Sequence, residues 1–341
     1  RGFDRNGGSA WQVDPCSLPD WSKSTRFVIH RSGDLAAMAG LRTASCCVRT
    51  LMLKSLFGLF IWLSASSTPA DEPKIETKFD ITYTKVGDTE LKLDLARPAE
   101  GDGPFPAVVA IHGGGWRAGN KSHMRPFLLE LAKRGYVAIS PQYRFAPQDR
   151  FPAQIHDVKA SVRWLRAHAS EYKVNPDKVG AMGVSAGGHL ALMLGVTDAD
   201  DGLEGDVAKD APSSRVQAVV NIVGPSDLLA KDLPEVSKGI LKEFLGGTVE
   251  EKHEAASKAS PVTYVTKDDP PVLTFQGTKD ELVPHTQAVL LAEAQSKHGV
   301  PGRVELLVGA GHGFPKAEIE RTSTRMFNFF DEYLKGAAPK P

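Results

Sequence analysis

Gly183-Val184-Ser185-Ala186-Gly187 stands between an apolar stretch suited to a strand (178–182) and one suited to a helix (188–194). A serine at such a junction occupies a strained turn whose flanking positions have no room for side chains. Gly183 and Gly187 let strand and helix approach while the hydroxyl projects alone. In a chain with 32 glycines the pattern also arises by chance, so its weight depends on its surroundings.

Upstream, His112-Gly113-Gly114-Gly115-Trp116 follows the apolar run 106–111. Consecutive glycines after a strand allow backbone N–H groups to turn toward a ligand and supply donors for a developing oxyanion. Downstream, the run 271–275 ends in Gln276-Gly277-Thr278-Lys279-Asp280, and the run 304–308 ends in Gly309-Ala310-Gly311-His312-Gly313-Phe314. Glycine loop, Ser185, Asp280 and His312 thus follow one another in the chain, each at the carboxyl end of an expected strand.

The pattern beyond these points is strand and helix in turn. Alternation marks two antiparallel strands, 79–86 and 90–95, joined at Gly87-Asp88. Further strands are expected over 107–111, 137–140, 179–184, 216–223, 272–275 and 304–308. Helix-spaced apolar positions fall over 124–134, 152–171, 186–194, 286–297 and 318–334. Such alternation predicts an α/β fold: a mostly parallel central sheet with helices on both faces and no large cap domain. The amphipathic segment 224–264 is a candidate partial lid, with packing on the sheet edge as the alternative.

With 341 residues, 41% hydrophobic content and a formal net charge of zero, the chain suits one large domain. Balanced charge argues against nucleic acid or an anionic membrane as the main partner and favours a small or neutral substrate. Residues 1–51 show no apolar periodicity and are left unassigned, as leader or upstream sequence. From Met52, or from an earlier start at Met38, a short basic region with Lys54, the apolar run 56–63 and small residues up to Ala70 have the layout of a signal peptide over 52–70. The apolar run is far shorter than the roughly 20 residues a membrane span needs. The expectation is a secreted or periplasmic domain over 71–341. All three cysteines (Cys16, Cys46, Cys47) precede Ala70, so disulfides give no reading of compartment. Neither metal-ligand spacing of the H-E-x-x-H type nor a phosphate loop occurs, and neither metal nor cofactor is expected.

His112-Gly113-Gly114-Gly115-Trp116, Tyr143-Arg144-Phe145-Ala146-Pro147, Phe151-Pro152-Ala153, Asp157 and Gly183-Val184-Ser185-Ala186-Gly187-Gly188-His189 together resemble serine esterases of the α/β-hydrolase superfamily. The resemblance covers roughly 74–334 and reaches two groups: hormone-sensitive-lipase-like bacterial esterases, and bifunctional feruloyl and acetyl xylan esterases. Lipase-like members usually carry an Asp before the nucleophile and a helical N-terminal cap. Here Val184 and a short strand-rich lead-in take those places, which implies an open cleft and favours acyl groups carried on a polysaccharide. His-Gly-Gly-x-Trp is also shared with arylformamidases, so an amide-hydrolase reading stays open, as does a non-catalytic binding protein on the same fold.

The expected roles follow from chemistry. Ser185 attacks an ester carbonyl, His312 accepts its proton, and Asp280 orients the imidazole. Ala186 and Gly113 or Gly114 supply oxyanion donors, and Trp116 lines the acyl pocket. Asp227 also follows a strand and is a rival acid. Glu281 is expected to be solvated, and His285, in the loop after Asp280, is a minor candidate for facing the pocket. His112 and His189 are expected to be structural, and Tyr143, Arg144 and Asp157 to form a polar network beneath the glycine loop.

Overall fold

The computed structural model describes residues 25–31 and 72–338. The signal peptide read over 52–70 and most of the 1–51 leader lie outside the described residues.

Among the described residues nine strands form one sheet: β1 Thr25–Arg31, β2 Ile75–Val86, β3 Thr89–Pro98, β4 Phe105–Ile111, β5 Val137–Pro141, β6 Val174–Val184, β7 Ala218–Ile222, β8 Val272–Gly277 and β9 Gly302–Val308. Their spatial order is β1-β9-β8-β7-β6-β4-β5-β3-β2. From β1 to β5 every neighbouring pair is parallel, whereas β5–β3 and β3–β2 are antiparallel.

Strands covered on both faces need apolar residues at successive positions rather than alternate ones, and β4 meets this need. Ala107, Val109 and Ile111 point into one core, Val108 and Ala110 into the other, all fully buried. The first core receives α2 (Ala153–Ala167), α4 (Ala186–Val196), α5 (Glu235–Leu245) and α7 (Thr286–His298); the second receives α1 (Arg125–Lys133) and α8 (Lys316–Lys335). α4 is buried at every position, and each of its leucines contributes about 1.5–3 kcal/mol by leaving water. The short helices α3 (Ala169–Tyr172) and α6 (His253–Lys258) complete the layer.

Three differences from the sequence reading have local causes. The helix expected over 152–171 is interrupted at His168, which caps α2 and opens α3. β6 starts at Val174, earlier than its apolar run, because Val174 pairs with Phe105 across an irregular register. β1 lies in a region that had been left without a fold. Its apolar core, Phe27-Val28-Ile29, is too short to give a period, and parallel pairing with β9 makes it a strand.

Register brings the site together. Ile111 pairs with Gly183, Val184 with Ile222, and Gly277 with Leu307. The glycine loop, Ser185 and the loops bearing Asp280 and His312 therefore emerge along one edge, the carboxyl ends of the parallel strands.

Candidate active site

Ser185 takes φ 55° and ψ −122°, a conformation in which a non-glycine residue is strained. The flanking glycines make the turn possible. A Cβ on Gly183 would fall 2.1 Å from the carbonyl oxygen of Gly187, and one on Gly187 would fall 2.1 Å from that of Ile111. The Ser185 amide donates to Ile222 O at 2.8 Å, fixing the elbow to β7.

The three side chains separated in sequence converge. His312 Nε2 lies 2.9 Å from Ser185 Oγ and accepts its hydroxyl proton, in the tautomer whose Nδ1–H donates to Asp280 Oδ2 at 2.8 Å. Asp280 is held from four directions. Its Oδ2 also accepts from Gln276 Nε2 at 3.1 Å, and its Oδ1 accepts the amides of Leu282 and Val283, both at 2.9 Å. Burial pushes this carboxyl's pKa up, but the bonds from His312 and the two amides outweigh it and hold the pKa below the ordinary value. Asp280 is thus a carboxylate fit to orient and stabilise an imidazolium. The rival Asp227 turns its Oδ1 to the Leu229 amide at 2.8 Å, within its own loop. Glu281 and His285 are both exposed, and neither lines the pocket.

Gly113 lies against the elbow: a Cβ there would meet Val184 O at 2.7 Å and Ser185 Cβ at 3.2 Å. Gly114, at φ 123°, admits no side chain either, since a Cβ would fall 2.0 Å from Ala118 O. The expected polar network does support this loop. Tyr143 Oη donates to His112 O at 3.0 Å, the Ala146 amide to Trp116 O at 2.9 Å, and Arg144 grips both oxygens of Asp157. A second anchor was not read from sequence. Fully buried Asp94 on β3 receives Lys121 Nζ at 2.6 Å and Arg125 Nε at 2.7 Å, tying down the far end of the glycine loop. A lone Asp in an apolar strand was the available signal.

Trp116 is 4% exposed and stacks on Phe244 of α5 at 4.3 Å. Its Nε1–H donates to His189 Nδ1 at 3.2 Å, while His189 Nε2–H donates to Ala259 O at 2.6 Å. Both His189 nitrogens are therefore engaged structurally. His112 stacks on Tyr143 at 4.4 Å and bonds Gly113 O through Nδ1 at 2.8 Å. Burial lowers each of these two histidines from 6.5 to about 4. In the unfolded chain both take up protons near their ordinary pKa. As pH falls from 6.5 to 4 the unfolded state therefore binds more protons, and each histidine's contribution to stability is lost through that window, levelling off below. Urea midpoints measured at pH 7.5, 6 and 5 should fall in step. A flat profile would contradict this assignment.

The site is a half-open pocket. A cavity of about 520 Å³ is lined by Gly113, Gly114, Trp116, Ser185, Ala186 and His312, and by Leu233, Ser237, Ile240 and Leu241 from α5 and the loop before it. Its size is in the ordinary range for small-molecule sites. α5 is fastened across the pocket by Arg117–Glu243 at 2.8 Å and by Ser237 Oγ donating to Leu282 O at 2.5 Å. Within the segment 224–264, Pro225, Leu228, Leu233, Ser237, Ile240 and Leu241 line the site, whereas Ala256, Ala259, Val262 and Tyr264 pack on the core, so the segment divides between the two positions considered from sequence. Among the described residues no cluster of three or more His, Cys, Asp or Glu is placed to hold a metal ion. No helix among them is long and apolar enough to cross a membrane.

Strand order, elbow and hydrogen-bonded Ser-His-Asp set define an α/β-hydrolase carrying the constellation of a serine hydrolase. The chain belongs to the BD-FAE family, whose model matches residues 93–295. It is similar to Esterase LipC of Mycobacterium tuberculosis, at 34% identity over 64% of this chain and 55% of the relative. The chain spans about half the length of the curated relatives it matches. Among solved structures it is similar to a bifunctional GH43-CE from Bacteroides eggerthii (TM-score 0.68, 30% identity, 75% of this chain and 38% of that one). It also resembles the propionate-bound esterase Est2 of the Planctomycetes species Thermogutta terrifontis (TM-score 0.64, 28% identity, 80% and 97%).

Proposed function

We propose that the protein is a serine carboxylesterase that hydrolyses short-chain acyl or aryl esters through an acyl-enzyme. The observation carrying this reading is the continuous set of contacts from the Ser185 hydroxyl through His312 to Asp280, 2.9 and 2.8 Å long. Neutral serine is a poor nucleophile and needs the base this arrangement provides. As Ser185 Oγ bonds to the carbonyl carbon, its proton moves to His312 Nε2. When the bond from carbon to the alcohol oxygen breaks, that proton leaves with the alcohol. Water then attacks the acyl-enzyme with His312 again the base. The amides of Ala186 and of Gly113 or Gly114 would face the developing oxyanion, where one lost donor costs on the order of 3 kcal/mol.

The names of the similar proteins support esterase activity, and the propionate held by Est2 supports a short acyl group. Likeness to the bifunctional GH43-CE favours a second reading, acyl groups borne on a polysaccharide. Labelling by a fluorophosphonate, followed by a panel of p-nitrophenyl esters, methyl ferulate, acetylated xylan and N-formylkynurenine, tests these readings. Folded protein that does not label would end the enzyme assignment in favour of a binding role. Turnover of the formamide alone would move the assignment to the arylformamidase reading.

Export is part of the same proposal and rests on the layout of residues 52–70. Cleavage after Ala70 would remove β1 and leave β9 as the sheet edge. N-terminal sequencing of protein recovered outside the cytoplasm should then begin at Asp71.

A further inference from the structure

Two cavities share His312 as a wall. Val184 and His312 line both the large pocket and a smaller one of about 180 Å³, whose other walls include Phe127, Phe314, Ile319 and Met326. We propose that this smaller cavity holds the alcohol half of the ester, and that the leaving group it takes is an aryl or short alkyl alcohol. The proposal rests on the reading of Ser185, His312 and Asp280 as the catalytic set.

The division of the substrate follows from the placement of the donors. Gly113, Gly114, Ser185 and Ala186 line the large cavity, and none of them lines the small one, which borders the reacting groups through Val184 and His312. Around the tetrahedral carbon the Ser185 oxygen, the oxyanion, the acyl chain and the leaving oxygen point apart. With the oxyanion on the glycine side, the leaving oxygen has to lie where His312 Nε2 can return the proton taken from Ser185. Its substituent then runs past the imidazole, toward Gly313 and Phe314. The acyl chain keeps the large cavity with Trp116, Leu228, Leu233, Ile240 and Leu241.

The chemistry of the small cavity names the occupant. Its polar side chains besides His312 are Thr322 and Ser323, and the Thr322 hydroxyl already donates to Glu318 O at 2.6 Å within α8. A sugar buried there would lose hydrogen bonds to water with few partners to replace them. Ile319 is 48% exposed, so an apolar group placed against it would gain burial that folding alone does not supply. An apolar cavity of about 150 Å³ takes up benzene, so about 180 Å³ suits one ring or a short alkyl chain.

The test compares phenyl acetate with methyl acetate. Both form the same acetyl-enzyme, so a difference in how a variant treats them arises in acylation and is read in kcat/KM. Ile319→Asp, a surface change, should lower kcat/KM for phenyl acetate about tenfold more than for methyl acetate, on the scale by which small apolar contacts discriminate substrates. Ile319→Ala should do the same in smaller measure. Ile240→Ala, in the large cavity, should instead shift the ratio of phenyl butyrate to phenyl acetate. If both Ile319 variants change the two acetates equally, the cavity is not the alcohol site, while wild-type turnover of either acetate leaves the esterase reading standing. If wild type hydrolyses no ester and takes no fluorophosphonate, both readings fall together.

Discussion

Replacing Ser185 with alanine is expected to lower kcat toward esters by roughly 10⁶-fold, the scale on which serine hydrolases lose rate when the nucleophile is removed. No neighbouring hydroxyl is placed to substitute, because Gly183, Ala186 and Gly187 carry none and the pocket's other serine, Ser237, bonds to Leu282 O. What survives should be the contribution of substrate binding and oxyanion donors acting on water. Alanine keeps the Cβ and therefore the elbow's backbone strain at φ 55°, so the fold should be retained. Measuring kcat with p-nitrophenyl acetate alongside a urea midpoint separates loss of chemistry from loss of structure. A folded variant within a hundredfold of wild type would remove Ser185 from the nucleophile role.

Asp280→Asn should lower kcat by about 10⁴-fold, because the amide offers an N–H where His312 Nδ1 now donates. The imidazole then favours the tautomer with its proton on Nε2, which cannot accept from Ser185. Of the other anchors of residue 280, the Leu282 and Val283 amides can still donate to the asparagine oxygen, and Gln276 Nε2, which loses its acceptor there, keeps its bond to Val283 O, so the loop should hold its shape. Asp227→Asn is the informative partner. Its carboxylate caps a turn at the Leu229 amide, a bond that asparagine also makes, and kcat should stay within the same order of magnitude. A larger loss at Asp227 than at Asp280 would reverse the assignment.

Much of the site was legible because its parts are local. The need for Gly183 and Gly187 is set by a turn five residues long, and each of the four functional loops follows a strand whose apolar run can be read directly. The choice of Asp280 over Asp227 rested on the resemblance to known hydrolases; the contacts of the two carboxylates support it independently. Less was visible where distant segments create the environment. Trp116 was expected at the acyl pocket, yet its stack on Phe244 depends on α5 crossing the site. That crossing also adds Ser237, Ile240 and Leu241 to the lining of the half-open pocket. The buried Asp94–Lys121 pair joins residues 27 apart and has no local pattern to announce it.

Periodicity and turn chemistry in the sequence determined the layered α/β architecture, the elbow and the order of the reacting residues, since these depend on sterics within a few residues. Tertiary structure alone decided that Ser185 and His312, 127 residues apart, share a hydrogen bond. It also decided that α5 lines the cavity at Ser185 and that a second apolar cavity has His312 in its wall. Contacts across that separation depend on strand register and helix docking, which are fixed only when both cores close around the sheet.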